Sequence, residues 1–347
     1  MHLLPLPTLP SRLSARAVEV APGVLLSAAV AAVATVIGHA VPVVGAALPA
    51  VVIGVAIALI RRPSGRLGAG VSYSGKFLLQ LAVVLLGAQL SLAAVARVGA
   101  ESFPVMITSL VVCLVGAVVL GRVLGVERRL TTLIGVGTGI CGASAIAAVS
   151  PVIAASGAEI AYAVSTIFLF NVLAVVLFPL LGHALGLDPH AFGLLAGTAV
   201  NDTSSVVAAA SVFSTAALGF AVVVKLVRTL MIIPVSITLS VIESRRDASG
   251  QRLTARRVLG LVPWFLIGFL VVVAVNSLGA IPPDIRDGLV AASSFLIATA
   301  LAAIGMSTDV QALRRSGWRP LLLGGILWIL VTVTTLATMG VTGNLVH

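Results

Sequence analysis

Two cations sit where an apolar chain can least accommodate them. Lys225 and Arg228 interrupt the run Ala221-Val-Val-Val-Lys-Leu-Val-Arg-Thr-Leu-Met-Ile-Ile-Pro234. A spacing of three puts both on one face of a helix. Each charge costs roughly 3 kcal/mol at the centre of a bilayer. Arg228 could reach an interface by extending its side chain; Lys225 lies near mid-depth and hardly could. Asp202 is the acidic residue deep inside a span. One carboxylate cannot neutralise two cations, so the set points to a bound anion, with Asp202 or Lys225 as the ion-coupling group. The plainer alternative is a buried ion pair with Asp202.

Two glycine-rich or N-cap-rich stretches accompany them. Gly135-Val-Gly-Thr-Gly-Ile-Cys-Gly-Ala-Ser144 holds glycines at 135, 137, 139 and 142. Each weakens a helix by about 1 kcal/mol relative to Ala. Unwound backbone at membrane depth survives only when buried in protein or lining a wet cavity, so a broken helix is expected. The half-helix after such a break turns its N-terminal N–H groups toward it, which favours anions. Asn201, Asp202, Thr203 and Ser204 are N-cap types, and Val206-Val-Ala-Ala-Ala210 continues the helix. The substrate-binding set is therefore Thr138, Gly139, Cys141, Gly142, Ser144, Asn201, Thr203, Ser204, Ser205, Lys225 and Arg228, with Asp202 and Lys225 coupling an ion.

Asn171, Gln80, Gln89, Ser307, Thr308 and Asp309 are lesser candidates; Asp309, beside Arg314 and Arg315, reads as a solvated span end. His39, His183 and His190 fall at span ends, so no metal is expected, and no cofactor. Cys113 and Cys141 lie in apolar stretches and are not expected to pair. Gly137-Thr-Gly-Ile-Cys-Gly142 matches G-x-G-x-x-G without a preceding strand, and Gly70-Val-Ser-Tyr-Ser-Gly-Lys76 fails as a phosphate loop at Phe77.

The elements that must hold these residues follow from composition. Of 347 residues, 59% are hydrophobic and 9% charged. Soluble domains run near 45–50% and about 25%, so a soluble, disordered or disulfide-scaffold protein is excluded. Abundant glycine and few aromatics favour an all-α polytopic membrane bundle over a barrel. A ruler of about 20 apolar residues marks eleven segments: 22–40, 43–60, 77–96, 103–121, 130–153, 158–182, 191–211, 215–241, 258–279, 288–308 and 319–342. The longest polar interruptions are 61–76 and 242–257. No soluble domain fits between them, so residues 1–347 read as one integral membrane domain, with 1–21 a cytoplasmic segment and 22–342 the bundle. Arg12 and Arg16 precede a run too long for a signal peptide.

Net charge is +10. With the N-terminus in the cytoplasm, only Arg97 and Arg286 fall outside, while Lys225 and Arg228 lie within a span. The basic balance is thus a topology signal, N-terminus in and C-terminus out, and implies no nucleic acid.

Internal matches suggest repeats. Residues 77–91 resemble 295–309 at an offset of 218, on spans that cross in opposite directions, as an inverted repeat would. More sharply, Gly137-Thr-Gly-Ile-Cys-Gly-Ala-Ser144 aligns with Gly197-Thr-Ala-Val-Asn-Asp-Thr-Ser204 at an offset of 60. If both stretches cross the membrane they run parallel; if both are re-entrant they are inverted, and the charge rule allows either. Two packing helices alike only in composition would also match.

The blocks at 137–146 and 197–206, with Lys225-Leu-Val-Arg228, resemble the signatures of the YeiH-type family of bacterial sulfate exporters, over almost the whole chain. That resemblance implies a multi-pass transporter of the bacterial plasma (inner) membrane. It also implies a fold related to the cation/proton antiporter and bile-acid symporter group, in which a homodimer is plausible by analogy. The expected function is secondary transport of a small anion, sulfate or an organic sulfonate, coupled to H+ or Na+. The alternatives are a cation/proton antiporter using Asp202 and Lys225, and an anion channel. An enzyme is not expected, since no nucleophile–base pair is evident.

Overall fold

The computed structural model describes residues 10–40, 46–246, 263–307 and 318–344, and among these every regular element is helical. Thr308, Asp309, Arg314 and Arg315 lie outside the described residues. The chain forms two compact units, one of 1–82 with 290–309 and one of 83–289 with 310–347.

Among the described residues, seven helices are long and apolar enough to cross a membrane: Val18–Ala40, Gly65–Gln89, Leu92–Val123, Gly157–Ala184, Thr215–Glu243, Pro283–Ser307 and Trp318–Thr342. They account for seven of the eleven expected segments. Segments 43–60 and 258–279 are described as shorter apolar helices, Ala47–Ile60 and Trp264–Ser277. Segments 130–153 and 191–211 are interrupted.

The first unit holds α1 (Pro10–Ala40), α2 (Ala47–Ile60) and α3 (Gly65–Tyr73). A π-turn, Ser74–Leu78, joins α3 to α4 (Leu79–Leu86), which runs on into the second unit through the 3-10 turn Gly87–Gln89. This corrects two sequence boundaries. The Gly- and Ser-rich stretch before residue 77 reads as a polar loop, yet from Gly65 onward it is helix. Its small residues are what let it pack on α1: a Cβ on Gly70 would lie 2.0 Å from the Val20 carbonyl oxygen. Ser74 spends its hydroxyl on the Gly70 carbonyl at 3.0 Å, so its polarity is absorbed within the helix. The expected span 77–96 is cut at Leu90, which is extended, and Ser91 caps the next helix by accepting from the Ala94 N–H at 3.1 Å.

The second unit is built around α5 (Leu92–Val123), whose 32 residues span about 48 Å. Next come α6 (Arg128–Val136), a π-turn (Gly137–Cys141) and α7 (Ala143–Val149). They are followed by α8 (Gly157–Ala184), α9 (Pro189–Ala199) and α10 (Thr203–Phe213). Then come α11 (Thr215–Thr229), α12 (Ile232–Arg246) and α13 (Trp264–Ser277). The last two helices are α14 (Pro283–Ser307), shared with the first unit, and α15 (Trp318–Thr342).

The two interrupted segments are hairpins. In α9–α10, the ring of Phe192 near the start stacks on Phe213 at the end, with centroids 3.9 Å apart and planes at 6°. Each arm has 11 residues, about 16 Å, roughly half the thickness of a bilayer core. In α6–α7 the chain also returns toward its start: Glu159, in the capping box that opens α8, lies within electrostatic reach of Arg129 and Glu127.

The hairpins approach from opposite ends of α5. Arg128 follows directly on the C-terminal end of α5 and makes a bidentate pair with Glu243 at the far end of α12, its second bond being 3.0 Å. His190, at the start of α9, instead meets Glu101 in the early turns of α5, Nε2 to Oε2 3.3 Å.

Candidate functional site

The two hairpin tips and α11 meet at one place. Glycine sets the approach of α9 to α11: a Cβ on Gly197 would lie 2.7 Å from Val224 Cβ and 2.8 Å from the Ala221 carbonyl oxygen. Gly193 makes the same kind of contact one turn earlier, against Ala217 and Phe220. α9 ends at Ala199 and Val200 is extended, so Asn201 lies in the break itself, next in the chain to the Val200 carbonyl that Lys225 binds.

Lys225 and Arg228 are both 0% exposed. The Lys225 Nζ donates to the Ile140 carbonyl at 3.0 Å and to the Val200 carbonyl at 2.6 Å. Both acceptors lie at the C-terminal end of the first arm of a hairpin, where helix carbonyls lose their N–H partners and carry partial negative charge. The ammonium supplies the donors that the break removes. Arg228 Nη2 donates to the Thr138 carbonyl at 3.3 Å.

Gly142 turns the first tip. Its φ of +67° with ψ of −132° is a conformation that a side chain resists, and its N–H closes the π-turn on the Gly137 carbonyl at 2.9 Å. A Cβ there would lie 3.3 Å from Asp202 Cβ, so the two tips are in contact. At the second tip Asp202 caps α10: its carboxylate accepts from the Ser204 N–H at 3.0 Å and from the Ser204 hydroxyl. The Asp202 N–H is taken by Asn171 Oδ1 at 3.2 Å. The carboxylate therefore serves its own helix. The buried ion pair considered from the sequence is not formed: neither cation has an ion-pair partner among the described residues.

The structure gathers most of the expected residues here. Thr138, Gly139, Cys141, Gly142, Asn201 and Ser205 are buried, and Asp202, Thr203 and Ser204 are half-buried. Ser144 is exposed, on the arm leaving the first tip. Cys113 and Cys141 are separate buried thiols, and Cys113 Sγ reaches the Gly135 carbonyl at 3.6 Å. Gln80 belongs to the first unit, and Gln89 is exposed. The sequence under-weighted Asn171, which holds the second break, and passed over Thr198 and the carbonyls of Ile140 and Val200. The offset of 60 was the available signal, since it pairs 138 with 198 and 140 with 200.

Residues 22–324 match the family described as conserved hypothetical protein 698. The chain belongs to this family. Its relatives include a UPF0324 membrane protein of Streptococcus agalactiae serotype V, 38% identical over 331 residues, covering 94% of this chain and 98% of that one. The UPF0324 membrane protein of Clostridium tetani is 40% identical over 326 residues, 90% and 94% of the two chains. That of Streptococcus pneumoniae serotype 4 is 41% identical over 326 residues, 92% and 97%. The resemblance read from the residue blocks is thus borne out. The UPF0324 chain described here is a bacterial-family membrane protein whose polar core is the meeting of two hairpin tips on α11.

Proposed function

We propose that this protein is a secondary active transporter that exports or exchanges a small anion of the sulfate or organic sulfonate class, coupled to H+ or Na+. One observation carries the reading. Two wholly buried cations lie at the hairpin tips without a carboxylate partner among the described residues, while the nearby Asp202 is engaged in capping α10. Buried charge is expensive unless compensated, and an anion would compensate it.

In a bilayer the hairpins read as re-entrant, α6–α7 from the cytoplasmic side and α9–α10 from outside, forming an inverted pair around a midplane site. Their approach from opposite ends of α5 supports this, as does the basic cluster Arg122, Arg128 and Arg129 at the mouth of the first. Such an arrangement suits the antiporter and bile-acid symporter group. The test is counterflow in proteoliposomes: labelled sulfate or methanesulfonate should accumulate against unlabelled anion, and Arg228→Ala should abolish it. Unchanged uptake in that variant would defeat the proposal, and flux without counterflow would favour a channel.

A second reading has its own support. Two carbonyl oxygens around the Lys225 ammonium also suit Na+, so a cation/proton antiporter with Asp202 as ion ligand predicts proton-linked Na+ flux without anion dependence.

A further inference from the structure

Lys225 and Arg228 differ in what they have left to give. The Lys225 ammonium is directed at the Ile140 and Val200 carbonyls, one from each hairpin. Arg228 donates through Nη2 to the Thr138 carbonyl, while its Nε and Nη1 have no partner.

Unpartnered atoms accumulate at the hairpin tips and on Arg228. Among the described residues, twelve buried side-chain N and O atoms lack a hydrogen bond, and six belong to Thr138, Thr198, Asn201 and Arg228. All four residues are at most 1% exposed. Folded proteins hold few such groups, because each gives up water for nothing. Thr138 and Thr198 are counterparts at the offset of 60, each two residues before the carbonyl that Lys225 binds. Thr198 lies in the last turn of α9, and Asn201 follows in the break, past the extended Val200. Two hydroxyls and an amide at the hairpin tips, and a guanidinium on α11 that reaches the first tip, are thus left with hydrogen-bonding capacity unspent.

We propose that Arg228, Thr138, Thr198 and Asn201 form an oxyanion subsite, and that Lys225 stands outside it as the clasp between the two hairpins. The inference rests on the anion-transport reading and refines it. The ligand is a small, dehydrated oxyanion, because hydroxyl, amide and guanidinium hydrogens replace its water shell. Sulfate and the headgroup of a short alkanesulfonate fit that description. Thr198, which the sequence did not single out, becomes a specificity residue equal in standing to Thr138.

The experiment measures thermal unfolding of the purified full-length protein against rising sulfate and methanesulfonate. Thr138→Val and Thr198→Val keep the side-chain shape. Each should leave the ligand-free melting point unchanged or higher, since an unpaired hydroxyl is removed, and weaken anion affinity about tenfold. Lys225→Met should lower the ligand-free melting point, because it leaves the Ile140 and Val200 carbonyls without their donor. The subsite alone is overturned if anions stabilise the native sequence and both valine variants equally. It is also overturned if the valine variants lose ligand-free stability with unchanged affinity. If no anion stabilises the native sequence, the transport reading fails and the subsite with it.

Discussion

Ile140 and Val200 present their backbone carbonyls to the same ammonium, at 3.0 and 2.6 Å, although they stand on different hairpins. They are also counterparts in the internal match at an offset of 60. A single side chain on α11 therefore satisfies equivalent acceptors at both breaks. The internal match in the sequence and the convergence in space pair the same two positions.

Removing the ammonium should leave two buried carbonyls without donors. Lys225→Met is expected to destabilise the fold by roughly 2–5 kcal/mol. A denaturation series in detergent measures this; a loss under about 1 kcal/mol would mean water replaces the ammonium readily.

The turn at Gly142 should not tolerate a side chain. Gly142→Ala is expected to cost about 1–3 kcal/mol, from its backbone conformation and its 3.3 Å approach to Asp202. Gly157, where a Cβ would meet nothing within 4 Å, is the control, and Gly157→Ala should change stability by no more than about 0.5 kcal/mol. Equal melting points for the two variants would refute this account of the tip.

Asp202 allows capping to be separated from coupling. Asn caps helices as well as Asp, so Asp202→Asn should hold stability within about 0.5 kcal/mol. If the carboxylate carries the coupling ion, the same variant should transport without dependence on a proton or Na+ gradient. Gradient-driven uptake persisting in a stable Asp202→Asn protein would remove Asp202 from that role.

Sidedness distinguishes re-entrant hairpins from full crossings. In a background of Cys113→Ala and Cys141→Ala, a membrane-impermeant thiol reagent should label Ser156→Cys from the cytoplasmic side and His190→Cys from outside. Two full crossings would reverse both results.

Much of this site was legible because it breaks membrane rules. Lys225 and Arg228 stand out as charges in an apolar run, and Gly142 as glycine where helix should continue. The partners of Lys225 were not legible, since every residue carries a carbonyl and only the fold selects Ile140 and Val200. The role of Asp202 was half legible: its N-cap chemistry was plain, but that capping would turn it away from Lys225 depends on Ser204. Residues 65–76 misled because their polarity is internal, with Ser74 bonded to its own helix and Gly70 against α1. The hairpin shape was left open because a folded-back pair of half-helices and a broken crossing have the same hydropathy.

The two hairpins also differ in how their bases are braced. At the mouth of α9–α10 the rings of Phe192 and Phe213 stack, and His183 packs on Phe213 with centroids 4.6 Å apart. Its two helical arms are clamped together at the base. The first hairpin returns instead through the non-helical stretch 150–156, which includes Ala154 at a φ of +49°. The bracing is therefore unequal: ring packing ties the two arms of α9–α10 at their base, while the first hairpin has a stretch of turns between α7 and α8.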